Sequence, residues 1–325
     1  MPKRAIGLTM FLAVTCSILS GQNLNTFSVA PHWLPQAQFA AYYVAKDLGI
    51  YRRYGIDLAI VTGGPNVSSA SMLEDGRVEF ASIWLSNAIR FKAKGADVVN
   101  LAQLINRSAL MFIAKKSSGI KTPQDMNGKK IGVWGGDFQV RPLAFFRKYN
   151  LKVTTVLEGS SVNLFLFDGV DVTSAMWYNE YHTILNAGFH PDELNTFFLS
   201  DYGLNFPEEG IYCSGTLLRT HPEACRGFVH ATLEGWQYSF AHPEEAIDIL
   251  AKYMQEAKQP VSRPHQRWML ARMKDLIFPG DVEDFQRLSE REYLFVANSL
   301  KEAGLISTVP AYESVYKPVS IKGQR

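Results

Sequence analysis

Trp33-Leu34-Pro35-Gln36-Ala37-Gln38-Phe39, followed by a helical stretch and then Gly55-Ile56-Asp57-Leu58, decides how this chain is to be read. The segment has the pattern of a β-strand that ends in an aromatic residue, a polar turn and an amphipathic helix leading to a second strand. In open α/β sheets, ligands sit where strand C-termini open onto helix N-termini. Ile83-Trp84-Leu85-Ser86-Asn87 and Met176-Trp177-Tyr178-Asn179-Glu180 repeat the arrangement. Three tryptophans with polar neighbours at such junctions predict a cleft walled by aromatic faces, which suits a flat, polar small molecule.

The rest of the chain extends this alternation. Strands are predicted over 27–33, 56–62, 80–84, 98–104, 110–115, 130–134, 154–157, 172–176, 196–199 and 211–217. Helices are predicted over 38–51, 67–74, 86–94, 140–149, 163–167, 180–187 and 223–241, and the chain beyond Pro222 reads as mostly helical. Alternating strands and helices indicate doubly wound α/β layers. At 325 residues the chain exceeds a typical single core. Turn formers at Ser117-Ser118-Gly119 and at Asn205-Phe206-Pro207-Glu208-Glu209-Gly210 mark two crossings. The expected layout is therefore a first lobe of residues 23–115 and 211–325, a second lobe of 116–210, and a hinged cleft between them.

Composition narrows the function classes. Apolar residues make up 47% of the chain and charged residues 20%, the profile of a globular protein. The formal charge of +2 falls to 0 without Lys3 and Arg4, the only charged side chains before Asn25. A neutral chain gives no reason to expect nucleic acid as a partner. Lys3 and Arg4 followed by an apolar run from Ala5 to Leu19 have the layout of a signal peptide over residues 1–22, too short to span a membrane. Leu12-Ala13-Val14-Thr15-Cys16 faintly resembles a lipoprotein box, with Thr15 where a smaller residue is usual. After export only Cys213 and Cys225 remain, able to pair in an oxidising compartment but read here as two buried thiols. Their spacing is not that of a zinc site, and neither metal nor cofactor is expected.

Several clusters are candidates for ligand contact, each with a plainer alternative. Gly63-Gly64-Pro65-Asn66 follows a strand and lets backbone approach a ligand, or is an ordinary turn. Trp84, Ser86 and Asn87 stand at a strand end, where packing and helix capping compete with contact. Trp134-Gly135-Gly136-Asp137-Phe138 would point backbone N–H groups at an oxyanion or ring carbonyl. Asn179 can pair with a heterocyclic amide edge, and Glu180 can accept from an amino group or serve only the helix dipole. Glu208 and Glu209 lie in the second crossing, where one carboxylate is expected to reach the cleft. No Ser/His/Asp order, HExxH motif or acid–base pair stands out, so catalysis lacks support.

Trp33-Leu34-Pro35-Gln36, Tyr43-Val44-Ala45-Lys46, Gly49-Ile50-Tyr51, Tyr54-Gly55-Ile56-Asp57-Leu58 and Gly128-Lys129-Lys130-Ile131-Gly132 together resemble extracytoplasmic solute-binding proteins of ABC importers. The group concerned is the thiamine-pyrimidine, riboflavin and sulfonate/nitrate group, and the resemblance spans residues 26–253. It implies a type II periplasmic-binding fold, α/β in class, with two doubly wound mixed sheets and ligand in the interlobe cleft. It also implies a monomeric periplasmic receptor serving a membrane permease and ATPase. By the same resemblance, Trp33 stacks on the ligand ring. The site expected is then Trp33, Gln36, Gln38, Asn66, Trp84, Ser86 and Asn87 from the first lobe, Trp134, Trp177, Asn179 and Glu180 from the second, and Glu209 from the hinge. A thiamine pyrimidine derivative or riboflavin is the expected cargo, with a sulfonate or nitrate receptor as the alternative. The family's pyrimidine synthases form a further alternative. They carry a Lys before, and a His within, the segment where this chain has Ile83 and Asn87, and a cysteine-rich motif where it has Cys213 alone.

Overall fold

The computed structural model describes residues 24–64, 66–278 and 287–319. The expected signal peptide, Cys16 and Pro65 lie outside the described residues. Among the described residues, ten strands form two five-stranded sheets. They are β1 (Asn25–Ala30), β2 (Ile56–Ile60), β3 (Phe80–Trp84), β4 (Val98–Gln103), β5 (Leu110–Lys115), β6 (Lys130–Trp134), β7 (Thr154–Glu158), β8 (Val172–Met176), β9 (Leu194–Phe198) and β10 (Glu209–Ser214). The first sheet runs β2-β1-β3-β10-β4 and the second β7-β6-β8-β5-β9. Each is mixed: β10 is antiparallel to β3 and β4, and β5 is antiparallel to β8 and β9.

Strand position follows from side-chain pattern. β2, at an edge, alternates buried Ile56 and Leu58 with exposed Asp57 and Ala59. Central β3 and β8 are buried throughout, as strands covered on both faces must be. β1 stops at Ala30, three residues short of the expected end at Trp33. Pro31 offers no amide N–H to extend the ladder, so His32–Gln36 leaves the sheet as a bend. The helix expected over 38–51 is broken into a turn at Ala37–Phe39, a helix Ala40–Asp47 and a short helix Ile50–Arg53, with Gly49 turning between them at a φ of +66°. The strand expected over 211–217 ends at Ser214, whose hydroxyl accepts from Leu217 N–H and starts a helix instead.

The boundary expected at residue 115 is displaced. β5 pairs with β8 and β9, so the chain crosses to the second sheet before Leu110. It returns through Leu204–Glu208, since β10 belongs to the first sheet. Beyond β10 the described chain is helical, with Pro222–Ala241, Pro243–Glu256, Arg263–Ile277 and Glu290–Glu302 the longest pieces. Lys317 N–H then donates to Asn100 O alongside β4.

Cys213 on β10 and Cys225 on the long helix are buried thiols with sulfurs 3.9 Å apart. That helix packs tightly on Ala40–Asp47. A Cβ on Gly235 would stand 2.4 Å from Ala41 O and 2.9 Å from Ala45 Cβ. Gly235→Ala is expected to lose about 1–3 kcal/mol by forcing the helices apart; urea unfolding would read it, and an unchanged midpoint would show that the helices separate freely.

Candidate functional site

Strand ends from both sheets converge on one small chamber. Its lining includes Trp33, Gln36, Gln38 and Trp84 from the first sheet's side, and Trp134, Asn179 and Glu180 from the second. His32, Phe138, Met176 and Tyr178 complete it. Its free volume is about 30 Å³. A second, larger cavity of about 470 Å³ adjoins it, sharing His32, Trp84 and Phe138 and taking in Asn66, Ser68, Asn87, Lys94 and Gly136.

Trp33 is seated by backbone packing. A Cβ on Gly63 would lie 2.1 Å from Pro31 O and 2.9 Å from Trp33 N, so the diglycine lets residues 61–64 pass directly over the bend that carries Trp33. This close approach accounts for the Gly63-Gly64 pair without a ligand contact. His32, buried beside Trp33, has its backbone N–H on Ser82 Oγ at 3.0 Å and its ring Nδ1 2.9 Å from the same oxygen. Gln38 Nε2 lies 3.2 Å from His32 Nε2. Gln38 is a donor there, so the ring proton belongs on Nδ1. Burial, aided by the nearby Arg141 charge, drives the His32 pKa down to about 3, and the imidazole is neutral at ordinary pH.

The polar floor comes from residues 176–180. Glu180 accepts from Met176 N–H at 2.9 Å and from Asn179 Nδ2 at 2.8 Å. Asn179 Oδ1 in turn accepts from His265 Nε2 at 2.9 Å, which orients the amide. His265 lies on the Arg263–Ile277 helix and its Nδ1 is 2.9 Å from His182 Nδ1. Burial raises Glu180 to about 7 and lowers His265 to about 4. Glu158, reached by both Thr173 Oγ1 contacts at 2.9 Å, is also raised to about 7, by burial and by the Glu180 charge.

Glu209 lies behind the chamber and does not line it. Gln38 Nε2 contacts it at 3.5 Å, and burial with the neighbouring Glu208 charge holds its carboxyl well above the usual range. Glu208 meets Arg141 Nη1 at 2.5 Å, with both side chains almost wholly buried. The Arg141 guanidinium stacks 3.7 Å from the Trp84 ring centroid.

Of the twelve residues expected at the site, seven gather on the chamber: Trp33, Gln36, Gln38, Trp84, Trp134, Asn179 and Glu180. Asn66 and Asn87 line the adjoining cavity. Ser86 and Trp177 line neither cavity. Ser86 is buried one residue into the Leu85–Ala93 helix, which begins without a side-chain cap. The Trp177 ring turns toward Phe198, and the Arg272 guanidinium lies 5.0 Å from it. β8 ends at Met176 and residues 177–179 form a turn, closed by Asn179 N–H on Met176 O, which aims Trp177 away while Tyr178 and Asn179 face the chamber. His32, which adjoins Trp33, and Arg141 are not among the residues the sequence points to, while Phe138, Met176 and Tyr178 stand inside its candidate motifs without a contact assigned to them. Among the described residues no cluster of three His, Cys, Asp or Glu side chains fits a metal, and no helix is long and apolar enough to cross a membrane.

Comparison with known proteins places this geometry in a family. The riboflavin-binding protein RibY of Chloroflexus aurantiacus is 26% identical over 243 residues, covering 72% of this chain and 68% of its own. The 4-amino-5-hydroxymethyl-2-methylpyrimidine phosphate synthase of Legionella pneumophila is 26% identical over 245 residues, covering 71% and 74%. Among solved structures, the periplasmic aliphatic sulphonate binding protein SsuA of Escherichia coli superposes with a TM-score of 0.70 at 17% identity, over 92% of this chain and 94% of that one. The expected α/β architecture of two mixed sheets is thus the type II periplasmic-binding fold. The family described as NMT1/THI5 like matches residues 36–246. That span is well over half of the chain and carries the chamber's residues from Gln36 through Glu180, and the protein belongs to the NMT1/THI5-like family.

Proposed function

We propose that this protein is an exported solute receptor of an ABC importer that captures a heteroaromatic vitamin precursor, either a thiamine pyrimidine derivative or riboflavin. The observation that carries the reading is the chamber itself: Trp33 and Trp84 from one lobe and Trp134 from the other, set beside half-buried Asn179 and buried Glu180. Stacking surfaces recognise a planar ring, and an oriented amide–carboxyl pair reads its amino and ring-nitrogen edge. Two relatives whose names concern a flavin and an aminopyrimidine support a ring-shaped cargo. The crossings at 104–109 and 199–208 serve as the hinge, and a membrane permease and ATPase receive the cargo from a monomeric receptor. Catalysis has no part in this reading: Asn87 stands where the resemblance puts the synthases' histidine, and no Ser, Thr, Cys or Lys is among the residues that line the chamber.

The test is a thermal-shift and native mass spectrometry screen of the mature chain against hydroxymethylpyrimidine, its formylamino precursor, thiamine, riboflavin, taurine and nitrate. A heterocycle that binds unaltered and stabilises the fold supports the reading, since a ligand of the native state must raise its stability. Stabilisation by taurine or nitrate alone, or a heterocycle returned chemically changed, would overturn it. Trp33→Ala is expected to weaken binding of the hit about tenfold or more, about 1.4 kcal/mol, while thermal unfolding stays nearly unchanged. Undiminished affinity would remove Trp33 from the site.

A further inference from the structure

We infer that Phe138 is a resident occupant of the aromatic chamber, a side chain that the ligand's ring must displace, and that it thereby sets which rings are admitted. The inference deepens the receptor reading and rests on it for the identity of the ligand.

The contacts of Phe138 are those of a guest. Its ring centroid lies 4.8 Å from Trp84, 5.5 Å from Trp33 and 6.4 Å from both Trp134 and His32. The first two contacts are nearly perpendicular, at 85° and 87°, so in each pair one ring sets its edge against the face of the other. Edge-to-face geometry matches the positive rim of one ring to the negative face of another, which makes Phe138 a good occupant of a box built to stack rings. A wall residue touches its neighbours and the void; Phe138 touches walls contributed by both lobes.

Volume points the same way. With Phe138 in place about 30 Å³ remains, room for little more than one water. Neither a pyrimidine nor a flavin ring fits in the space left within the chamber itself. Phe138 also lines the adjoining 470 Å³ cavity, which offers a place for its ring to go.

The backbone permits that movement. Phe138 sits in a single turn, Gly136–Gln139, whose N–H bond from Phe138 to Gly135 O is long at 3.3 Å. Gly136 holds a φ of +60°, and nothing lies within 4 Å of where its Cβ would stand. Two glycines ahead of the ring give the turn access to backbone conformations that other residues resist.

A resident competitor lowers apparent affinity by the fraction of molecules in which it blocks the site, and only a ligand that outbids its contacts displaces it. Face-on stacking by a planar heterocycle, together with the Asn179–Glu180 edge, does so. A small aliphatic anion gains neither.

The experiment compares wild type, Phe138→Ala and Phe138→Leu by calorimetry with hydroxymethylpyrimidine, riboflavin and indole, a ring without the polar edge. Phe138→Ala is expected to bind the preferred heterocycle about tenfold more tightly and to accept indole, which wild type rejects. Phe138→Leu, which keeps apolar bulk and guards against loss of folding, is expected to lie between them. Weaker or unchanged heterocycle binding in both variants would make Phe138 a wall and overturn the inference. If no heterocycle binds any of the three chains, the receptor reading fails, and indole decides the occupant separately: uptake by Phe138→Ala alone supports it, and uptake by none or by all overturns it.

Discussion

Arg141→Ala is expected to destabilise the fold by about 3–5 kcal/mol, the range for removing one partner of a buried ion pair. Arg141 Nη1 contacts Glu208 Oε1 at 2.5 Å and Ser108 Oγ at 3.1 Å. The Arg141 and Glu208 side chains are 2% and 0% exposed. Without Arg141, Glu208 keeps only Ser108 Oγ and Ala109 N–H, each at 2.9 Å, to offset a buried negative charge. The geometry makes the loss more than local. Ser108 and Ala109 lie on the crossing into the second sheet, Glu208 on the return, and Arg141 on the Val140–Lys148 helix stacked over Trp84 of the first sheet. One guanidinium therefore ties both crossings to both sheets. The double variant Arg141→Met, Glu208→Gln is expected to recover most of the loss, because the penalty comes from the orphaned charge rather than from the missing attraction. Urea unfolding of wild type, Arg141→Met, Glu208→Gln and the double variant closes the double-mutant cycle that measures it. Additive losses would show that the pair is screened and not coupled.

Arg141 also marks where a local reading of sequence ends. Strand ends and the residues that follow them were legible because hydrophobic period and turn chemistry are local: Trp33, Trp84, Trp134 and the Asn179–Glu180 pair all stand at junctions that the pattern shows. The link from Arg141 to Glu208 spans 67 positions, and no local signal announces it. Trp177 departs from its expected place for a different reason. A tryptophan beside Tyr178 at a strand end looks like a cleft residue, but residues 177–179 form a turn that sets Trp177 against Phe198 and the Arg272 guanidinium while Tyr178 and Asn179 face the chamber. The sequence does not mark the first crossing, because Leu104-Ile105 and Leu110–Lys115 are both apolar runs; strand pairing shows that β5 has changed sheets. His32 is a single histidine between a proline and a tryptophan, and its role depends on Ser82, fifty positions away.

Glu180→Gln is expected to change stability by an amount that depends strongly on pH. Burial raises the Glu180 carboxyl to about 7 from an ordinary value of 4.5, so the folded chain holds its proton more tightly than the unfolded one. Wild type then loses stability from this group as pH rises from about 4.5 through 7, and the loss levels off above that. A shift of this size corresponds to about 3 kcal/mol. Glutamine has no charge to develop. It also presents an NH₂ group where Met176 N–H and Asn179 Nδ2 both donate to the carboxylate, a mismatch worth about 1–3 kcal/mol at every pH. The constant mismatch cancels when the difference between variant and wild type is followed across pH. That difference is expected to move in favour of the variant by about 3 kcal/mol between pH 4.5 and 8. The comparison also removes the histidines, which act oppositely in both chains: His32 and His265, lowered to about 3 and about 4, weaken the fold as pH falls below their ordinary value. Glu158 adds to the effect, since part of its rise to about 7 comes from the Glu180 charge and is relieved by the amide. Unfolding free energies from urea titrations at pH 4.5, 6, 7 and 8 provide the test. Parallel curves for the two chains would mean that Glu180 titrates as an exposed carboxylate, and that the chamber floor is wet rather than closed by Met176, Asn179 and His265.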